Sequence, residues 1–251
     1  MGTITSTFMR KIPTPALLAL LTAIVATALL CSAEALSSNP TGSTSAIRVT
    51  DIPPLVDVPV WSMATLNDDG DNGDAPSTNL NLLTYASPVA IRPHRLYALG
   101  LFRKTLSRDN FLREKTCVLQ LLSSAAEDRH IGCVRLLGGI SGKDVAKEAE
   151  LASTHGIELK ELEHDDDDGT VLPRVLPGCV RYLQLSMVGD VVPDGDGGEE
   201  SCHDVVICKV DRMWTSSDDS SSDDGHLSTG KLRELGLITE QGRIAPLPDD
   251  E

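Results

Sequence analysis

The sequence lacks the cysteine pattern of a disulfide scaffold or of a zinc site. It has six cysteines in 251 residues. Cys31 lies in an N-terminal apolar segment, and the other five form no C-x-x-C pair, so neither kind of site is expected. Cys117, Cys179 and Cys208 each lie in an apolar, strand-like run, and we expect them to be buried as small hydrophobic residues.

Phosphate-loop and calcium-loop motifs are also missing. Gly142-Lys143 is followed by Asp144, and Leu137 stands where the first glycine of an ATPase loop would be. The acidic run that begins at Asp194 has its glycine one place too early for a calcium loop and no acid at the twelfth position. The six histidines are scattered without a nucleophile or a ligand spacing. No catalytic residue and no metal ligand is therefore predicted.

Negative charge is concentrated in runs that contain no Lys or Arg. The formal net charge is -15, and about half of the acidic residues lie in Asp68–Asp74, Asp165–Asp168, Asp194–Glu200, Asp218–Asp224 and Asp249–Glu251. Such runs are typical of solvated loops between strands, and the acidic balance argues against nucleic-acid binding. By contrast, the segment from Arg92 to Lys115 carries seven cations against two acids, which fits either a solvated basic face or an anion site.

Residues 1–35 have the features of a targeting segment. Arg10 and Lys11 precede an uncharged run rich in Leu and Ala, and Ala33-Glu34-Ala35 matches an A-x-A cleavage pattern. We expect entry into the secretory pathway, followed by secretion, retention in the endomembrane system or delivery to a plastid through a bipartite targeting sequence. The apolar run is also long enough to span a bilayer, so an uncleaved anchor stays open and membrane association is expected only in that case.

Apolar and β-branched runs separated by polar connections predict a strand-rich domain over residues 57–214, after a linker at 36–56. The predicted strands are Val58–Asn67, Leu80–Ala86, Leu96–Phe102, Thr116–Leu122, Cys179–Val192 and Asp204–Trp214. A Ser/Asp-rich loop at 215–226 and a C-terminal extension at 227–251 follow.

Helices are predicted between these strands. One begins at a Ser107 cap and ends near Arg113, and a second spans Ala125–Leu137. A third begins at Ser141, with Asp144 completing a capping-box-like start, and ends near Gly156. Pro-Val after Ser87 is predicted to form a turn, as is Pro93. The pattern predicts a mainly β (α+β) fold, an antiparallel barrel with inserted helices.

The stretch from Asn79 to Thr105 has the side chains for a flat ligand that carries a phosphate. It offers small hydroxyl and amide groups at Asn79, Asn81, Thr84 and Ser87. These groups can hydrogen-bond the edge of a heteroaromatic ring. An apolar strand is then followed by two cations and a hydroxyl, at Arg103, Lys104 and Thr105. These groups can hold a phosphate.

The order of several segments resembles the flavin-reductase-like family, whose fold is the FMN-binding split β-barrel. The resemblance runs from about Asp57 to Trp214 through VPVWSMATLN, NLNLLTYASPVAIRP, LYALGLFRKTLSRDNFL, CVLQLL, LGGISGKDV, LPGCVRYLQL and HDVVICKVDRMW. It implies a flavoprotein oxidoreductase that binds FMN and takes hydride from NAD(P)H. It also implies a homodimer with the flavin at the subunit interface.

Carried onto this sequence, the resemblance places Asn79, Asn81, Thr84 and Ser87 around the isoalloxazine and ribityl chain. The FMN phosphate would then be held by Arg103, Lys104 and Thr105. The cofactor would carry the chemistry, which fits the absence of an acid-base pair in the sequence. Two alternatives stay open because fold analogy does not fix function: a non-catalytic flavin-binding protein, and a pyridoxamine-phosphate-oxidase-like or haem-degrading split-barrel protein.

Overall fold

A computed structural model describes residues 56–68, 76–124, 127–163, 171–193, 202–215 and 225–246. The predicted targeting segment at 1–35, almost all of the 36–56 linker and most of the Ser/Asp-rich loop at 215–226 lie outside these ranges. Most residues of the five acidic runs also lie outside them. Within the described ranges, no helix combines the length and apolar character needed to cross a bilayer.

Over these ranges the chain forms eight strands and four helices. The strands are β1 Trp61–Leu66, β2 Thr78–Leu83, β3 Ala86–Ala90, β4 Leu96–Phe102, β5 Thr116–Leu121, β6 Arg181–Met187, β7 Val192–Pro193 and β8 His203–Thr215. The helices are α1 Leu106–Glu114, α2 Glu127–Gly139, α3 Lys147–His155 and α4 Thr229–Glu234.

All strand pairs are antiparallel, and seven strands follow the order β2-β1-β5-β6-β8-β4-β3 with β7 added beside β8. The two strands at the ends of this path are consecutive in the chain. Leu83 is still paired with β1, whereas the carbonyl of Tyr85 accepts a hydrogen bond of 2.8 Å from the amide of Gly100 in β4. Two residue steps span at most about 7 Å, so the sheet must curl until its two edges meet at Thr84.

The curled sheet has an apolar core on each face. Inward-facing residues of six strands pack with Phe111 of α1 inside the barrel: Trp61, Met63, Leu83, Leu99, Leu101, Cys117, Leu119, Leu183, Leu185, Val206 and Cys208. On the outer face, alternate residues such as Ala64, Leu80 and Val118 pack under α2, α3 and α4. A barrel with one helix-covered face therefore confirms the predicted fold class, and Cys117, Cys179 and Cys208 are all buried as predicted.

The predicted turn at Pro88-Val89 is wrong, because these residues belong to strand β3. This strand pairs only with β4 among the described strands, and the register shifts between Pro88 and Ala90. An edge strand tolerates a residue that has no backbone N–H, because that position need not donate to a second neighbour. The turn lies further on, around Pro93, as predicted.

Two predicted helix starts are also wrong. Helix α1 is capped by Thr105 and not by Ser107: the Thr105 side chain accepts a hydrogen bond from the Arg108 amide. Helix α3 begins at Lys147, six positions after Ser141, because the Ser141 carbonyl and hydroxyl instead close a local turn with the amides that follow it. Its predicted end at Gly156 is confirmed, where a φ of 62° fits the left-handed position that glycine favours.

A candidate anion-binding cleft

A cleft of about 230 Å³ opens where β2, the start of α1 and the connection from α2 to α3 come together. Its walls combine amides, hydroxyls, two lysines and one aromatic ring. The lining residues are Asn79, Asn81, Phe102, Lys104, Thr105, Leu106, Ser107, Gly138, Gly139, Ile140, Ser141, Gly142 and Lys147.

Strand β2 supplies the amide wall of the cleft. Asn79 and Asn81 are two positions apart, so their side chains lie on the same face of the strand. Asn79 is buried, and its Nδ2 donates a hydrogen bond of 2.7 Å to Ser107 Oγ. This bond fixes the amide plane of Asn79 and ties the edge of the sheet to the first turn of α1.

The first turn of α1 supplies the second wall. Thr105 ends the connection from β4, and its Oγ1 accepts from the Arg108 amide at 3.3 Å and donates to the Phe102 carbonyl at 2.9 Å. Leu106 and Ser107 then begin the helix with both residues on the cleft. A helix N-terminus carries partial positive charge, so this wall favours an anion.

The connection after α2 closes against the amide wall at Gly142. A Cβ on this residue would come within 2.1 Å of Asn79 Oδ1. Asn79 is held by Ser107 and cannot swing away without losing that bond. Glycine is therefore required at position 142 if Asn79 is to keep its place in the cleft.

Two lysines supply the formal positive charge of the cleft. Lys104 is exposed at its rim, whereas Lys147, the first residue of α3, is only 3% exposed. The ammonium of Lys147 donates a hydrogen bond of 2.7 Å to the carbonyl of Leu137 near the end of α2. Burial lowers the pKa of Lys147 to about 8, because removal from water disfavours the charged form.

Beside the cleft, Asp204 of β8 binds two arginines. Its carboxylate, 2% exposed, accepts from Arg103 Nε at 2.8 Å and from Arg108 Nη2 at 2.6 Å. Burial alone would raise the pKa of Asp204, but the hydrogen bonds and charges of Arg108 and Arg103 outweigh it and hold this pKa below its usual value. The carboxylate thus fixes the start of α1 to β8.

The structure brings four of the seven predicted binding residues to the cleft: Asn79, Asn81, Lys104 and Thr105. The other three lie outside its lining. Arg103 binds Asp204, Thr84 is half-buried at the corner where the sheet edges meet, and Ser87 is exposed on β3.

Sequence reasoning missed Ser107 as a cleft residue and missed Lys147 and Gly142 as part of the site. A signal was present in the Gly-Gly-Ile-Ser-Gly run that begins with the last two residues of α2, since glycine clusters at helix ends allow the backbone to approach a ligand closely.

The arrangement suits a ligand that carries both a phosphate and a polar ring. Two ammonium groups, the helix N-terminus that Thr105 caps and the Ser107 hydroxyl are the donors that phosphate oxygens accept from. The amides of Asn79 and Asn81 can both donate and accept, as the edge of a heteroaromatic ring requires. Phe102, 41% exposed at the mouth, offers an apolar face. The residues present therefore fit FMN.

No protein-family model matches the sequence, and no curated protein matches it. Solved structures do match. An FMN-binding protein from Thermus thermophilus with bound 1-cyclohex-2-enone is 16% identical, with 80% of this chain and 86% of that chain covered and a TM-score of 0.48.

Two further matches also concern flavin proteins. The FMN-binding domain of a flavin-reductases-like enzyme from Shewanella baltica is 16% identical, with 63% and 69% covered and a TM-score of 0.44. An NADH:FAD oxidoreductase from Streptomyces globisporus in complex with NAD and FAD fragments is 11% identical, with 78% and 88% covered and a TM-score of 0.49. These neighbours are flavin-reductase-like and FMN-binding proteins, the family that the sequence resembles. At such low identities and scores, the assignment of function depends on the cleft itself.

Proposed function

We propose that this protein binds FMN in the cleft and acts as a flavin-reductase-type oxidoreductase that uses NAD(P)H. The observation that carries the proposal is the convergence of paired asparagines, a hydroxyl-capped helix start and two lysines on one cleft. Those donors come from three separate parts of the chain, so their meeting is not a local feature of sequence.

In this assignment Lys104, Ser107 and the helix start that Thr105 caps hold the phosphate, and Asn79 and Asn81 lie along the ribityl chain and the ring edge. When bound, FMN supplies hydride acceptance from a nicotinamide and onward electron transfer. The protein's own part is to bind, to orient and to control the access of water. Among the described residues, those that line the cleft include no carboxylate, histidine or thiol, which is consistent with a site whose chemistry is supplied by a cofactor.

We propose in addition that the protein is a homodimer. Large apolar side chains are exposed on β3, β4, β8 and the connections before and after β3: Tyr85, Val89, Ile91, Phe102 and Val205. The ring of His203 lies between those of Tyr85 and Phe102, at centroid distances of 5.5 Å. An exposed apolar area of this kind is typical of a protein interface, and Phe102 joins it to the cleft.

The test of the flavin assignment is a fluorescence titration of the full chain with FMN and with riboflavin. Hydrogen bonds to charged groups contribute about 1.5 to 3 kcal/mol each, so FMN should bind at least about tenfold more tightly than riboflavin. Equal affinities for FMN and riboflavin would show that the cleft does not bind the phosphate. Flavin-free protein at saturating concentrations of both would refute the proposal.

The test of the activity is an absorbance scan of the FMN-loaded protein before and after anaerobic addition of NADPH or NADH. Bleaching of the flavin bands is the expected result. Bound FMN that neither nucleotide bleaches would make the protein a flavin-binding protein without this activity. A purified protein with the spectrum of a haem or of a pyridoxal compound would instead favour the other split-barrel functions.

A further inference from the structure

Lys147 is placed at considerable energetic cost. Its side chain is almost fully buried, and among the described residues its ammonium has one hydrogen-bond partner, the Leu137 carbonyl. It is also the first residue of α3, where the positive end of the helix disfavours a cation. An ammonium has three donors, so a single carbonyl does not use its full capacity.

The described residues around Lys147 provide no carboxylate partner for its charge in the cleft. The strand β2 and the last turn of α2 carry no ionisable side chain. The charged groups on the other neighbouring elements are Glu148 and Glu150 of α3, Lys104, Arg108 and Asp109 at the start of α1, and Lys143 and Asp144 in the connection. Among the acids, Glu148 pairs with Arg174 at 2.8 Å and Asp109 pairs with Lys143 at 2.8 Å.

We propose that Lys147 is an anion-binding residue of the cleft, that it donates hydrogen bonds to the phosphate of the ligand, and that it thereby selects phosphate-bearing over phosphate-free ligands. The identity of that ligand as a flavin rests on the proposed function. A purely structural role would leave Lys147 as a cap for the carbonyls at the end of α2. The two roles differ in what happens when the amine loses its proton.

A bound phosphate favours the charged form of Lys147, so binding is coupled to protonation. Because the pKa of Lys147 in the free protein is about 8, the site is charged at pH 7 and mostly neutral at pH 9. Affinity for FMN should therefore be about tenfold weaker at pH 9 than at pH 7, as expected for one required proton. Riboflavin, which has no phosphate, should bind equally at both pH values.

The experiment is a flavin fluorescence titration of the full chain at both pH values, with three variants. Lys147→Met should weaken FMN binding at pH 7 by about 10- to 100-fold, the equivalent of one hydrogen bond to a charged group, and should abolish the pH dependence. Lys147→Arg keeps its charge at both pH values, so it should bind FMN without the loss at pH 9. Lys143→Met is the matched control, since Lys143 lies four residues away, is 48% exposed and does not line the cleft.

The proposal is overturned if Lys147→Met binds FMN as tightly as the unmodified protein, or if it keeps the tenfold fall between the two pH values. If Lys147→Met does not fold, the comparison of FMN with riboflavin in the unmodified protein and the profile of Lys147→Arg decide the question. An equal response of FMN and riboflavin to pH would also overturn it.

A further experiment without flavin distinguishes failure of this proposal from failure of the proposed function. If neither flavin binds, the flavin assignment fails, and inorganic pyrophosphate becomes the probe. Pyrophosphate should then raise the thermal unfolding midpoint of the unmodified protein and of Lys143→Met, but not that of Lys147→Met. The same rise in all three proteins, or in none, would refute an anion-binding role for Lys147.

Discussion

Replacing Asp204 by Ala should destabilise the protein by about 2 to 4 kcal/mol. Its carboxylate, only 2% exposed, is bound by Arg103 and Arg108 at 2.6 to 2.8 Å. Two hydrogen-bonded charged partners set an upper range of about 3 to 6 kcal/mol. Both arginines are 27% exposed, so water can rehydrate them after the change, which reduces the expected loss.

The assay is urea unfolding of the full chain at pH 7, followed by circular dichroism. Asp211→Ala is the matched control on the same strand, because Asp211 pairs with Lys209 at 2.8 Å but both side chains are partly exposed, at 24% and 41%. Its loss should stay below about 1 kcal/mol. If Asp204→Ala costs no more than Asp211→Ala, the carboxylate does not fix α1 to β8.

The pH dependence of stability gives an independent check. The pKa of Asp204 is lower in the folded protein than its usual value, after the arginines outweigh the effect of burial. A carboxyl group of this kind stabilises the fold fully above the unfolded pKa of about 3.9, and this stabilisation is lost as the pH falls through the folded pKa. The unmodified protein should therefore lose stability below about pH 4 more steeply than Asp204→Asn. Parallel profiles would show that the pair with the arginines does not act in solution.

Two further predictions concern the cleft and the apolar face beside it. Gly142→Ala should cost about 1 to 3 kcal/mol in stability and weaken FMN binding, because its Cβ would overlap Asn79 Oδ1. The control is Gly132→Ala on α2, where a Cβ meets nothing within 4 Å, and this change should stabilise the protein by about 0.5 to 1 kcal/mol. Equal unfolding midpoints for the two variants would contradict the overlap. Light scattering of the full chain should give the mass of a dimer, and Val89→Lys on the exposed edge should shift it toward the monomer; a monomeric unmodified protein would refute the interface.

The parts of the fold that the sequence predicts are those in which local pattern and tertiary position agree. The runs that form β4 and β5 are apolar and bounded by charged or turn residues, so their positions follow from composition. The cysteines in strand-like runs are buried for the same reason. Strand β3 was missed because Pro88 normally argues against a strand, and only its place at the edge of the sheet makes it acceptable.

The cleft was predictable only in part. Asn79 and Asn81 share a strand face, and Lys104 and Thr105 directly follow a strand. Short-range spacing is therefore enough to identify these four residues as binding candidates. The role of Arg103 depends on Asp204, which lies far along the chain, and residue type alone does not tell whether a cation meets a ligand or a carboxylate. Lys147 lies in a stretch rich in Lys and Glu that is typical of a solvated helix surface. Its burial arises from the packing of α3 against α2, which sequence spacing does not reveal.

The position of β8 in the ladder makes it the strand that connects the two parts of the sheet. Among the described strands, β2, β1, β5 and β6 form one four-stranded ladder and β3 with β4 forms a hairpin, and only β8 pairs with both parts. β8 joins β6 to β4 and also carries Asp204, so closure of the barrel and attachment of the start of α1 depend on the same strand. A chain truncated before residue 203 should therefore form an open sheet. Its helix α1 would keep the Thr105 cap but would lose the ion pairs that Arg103 and Arg108 make with Asp204.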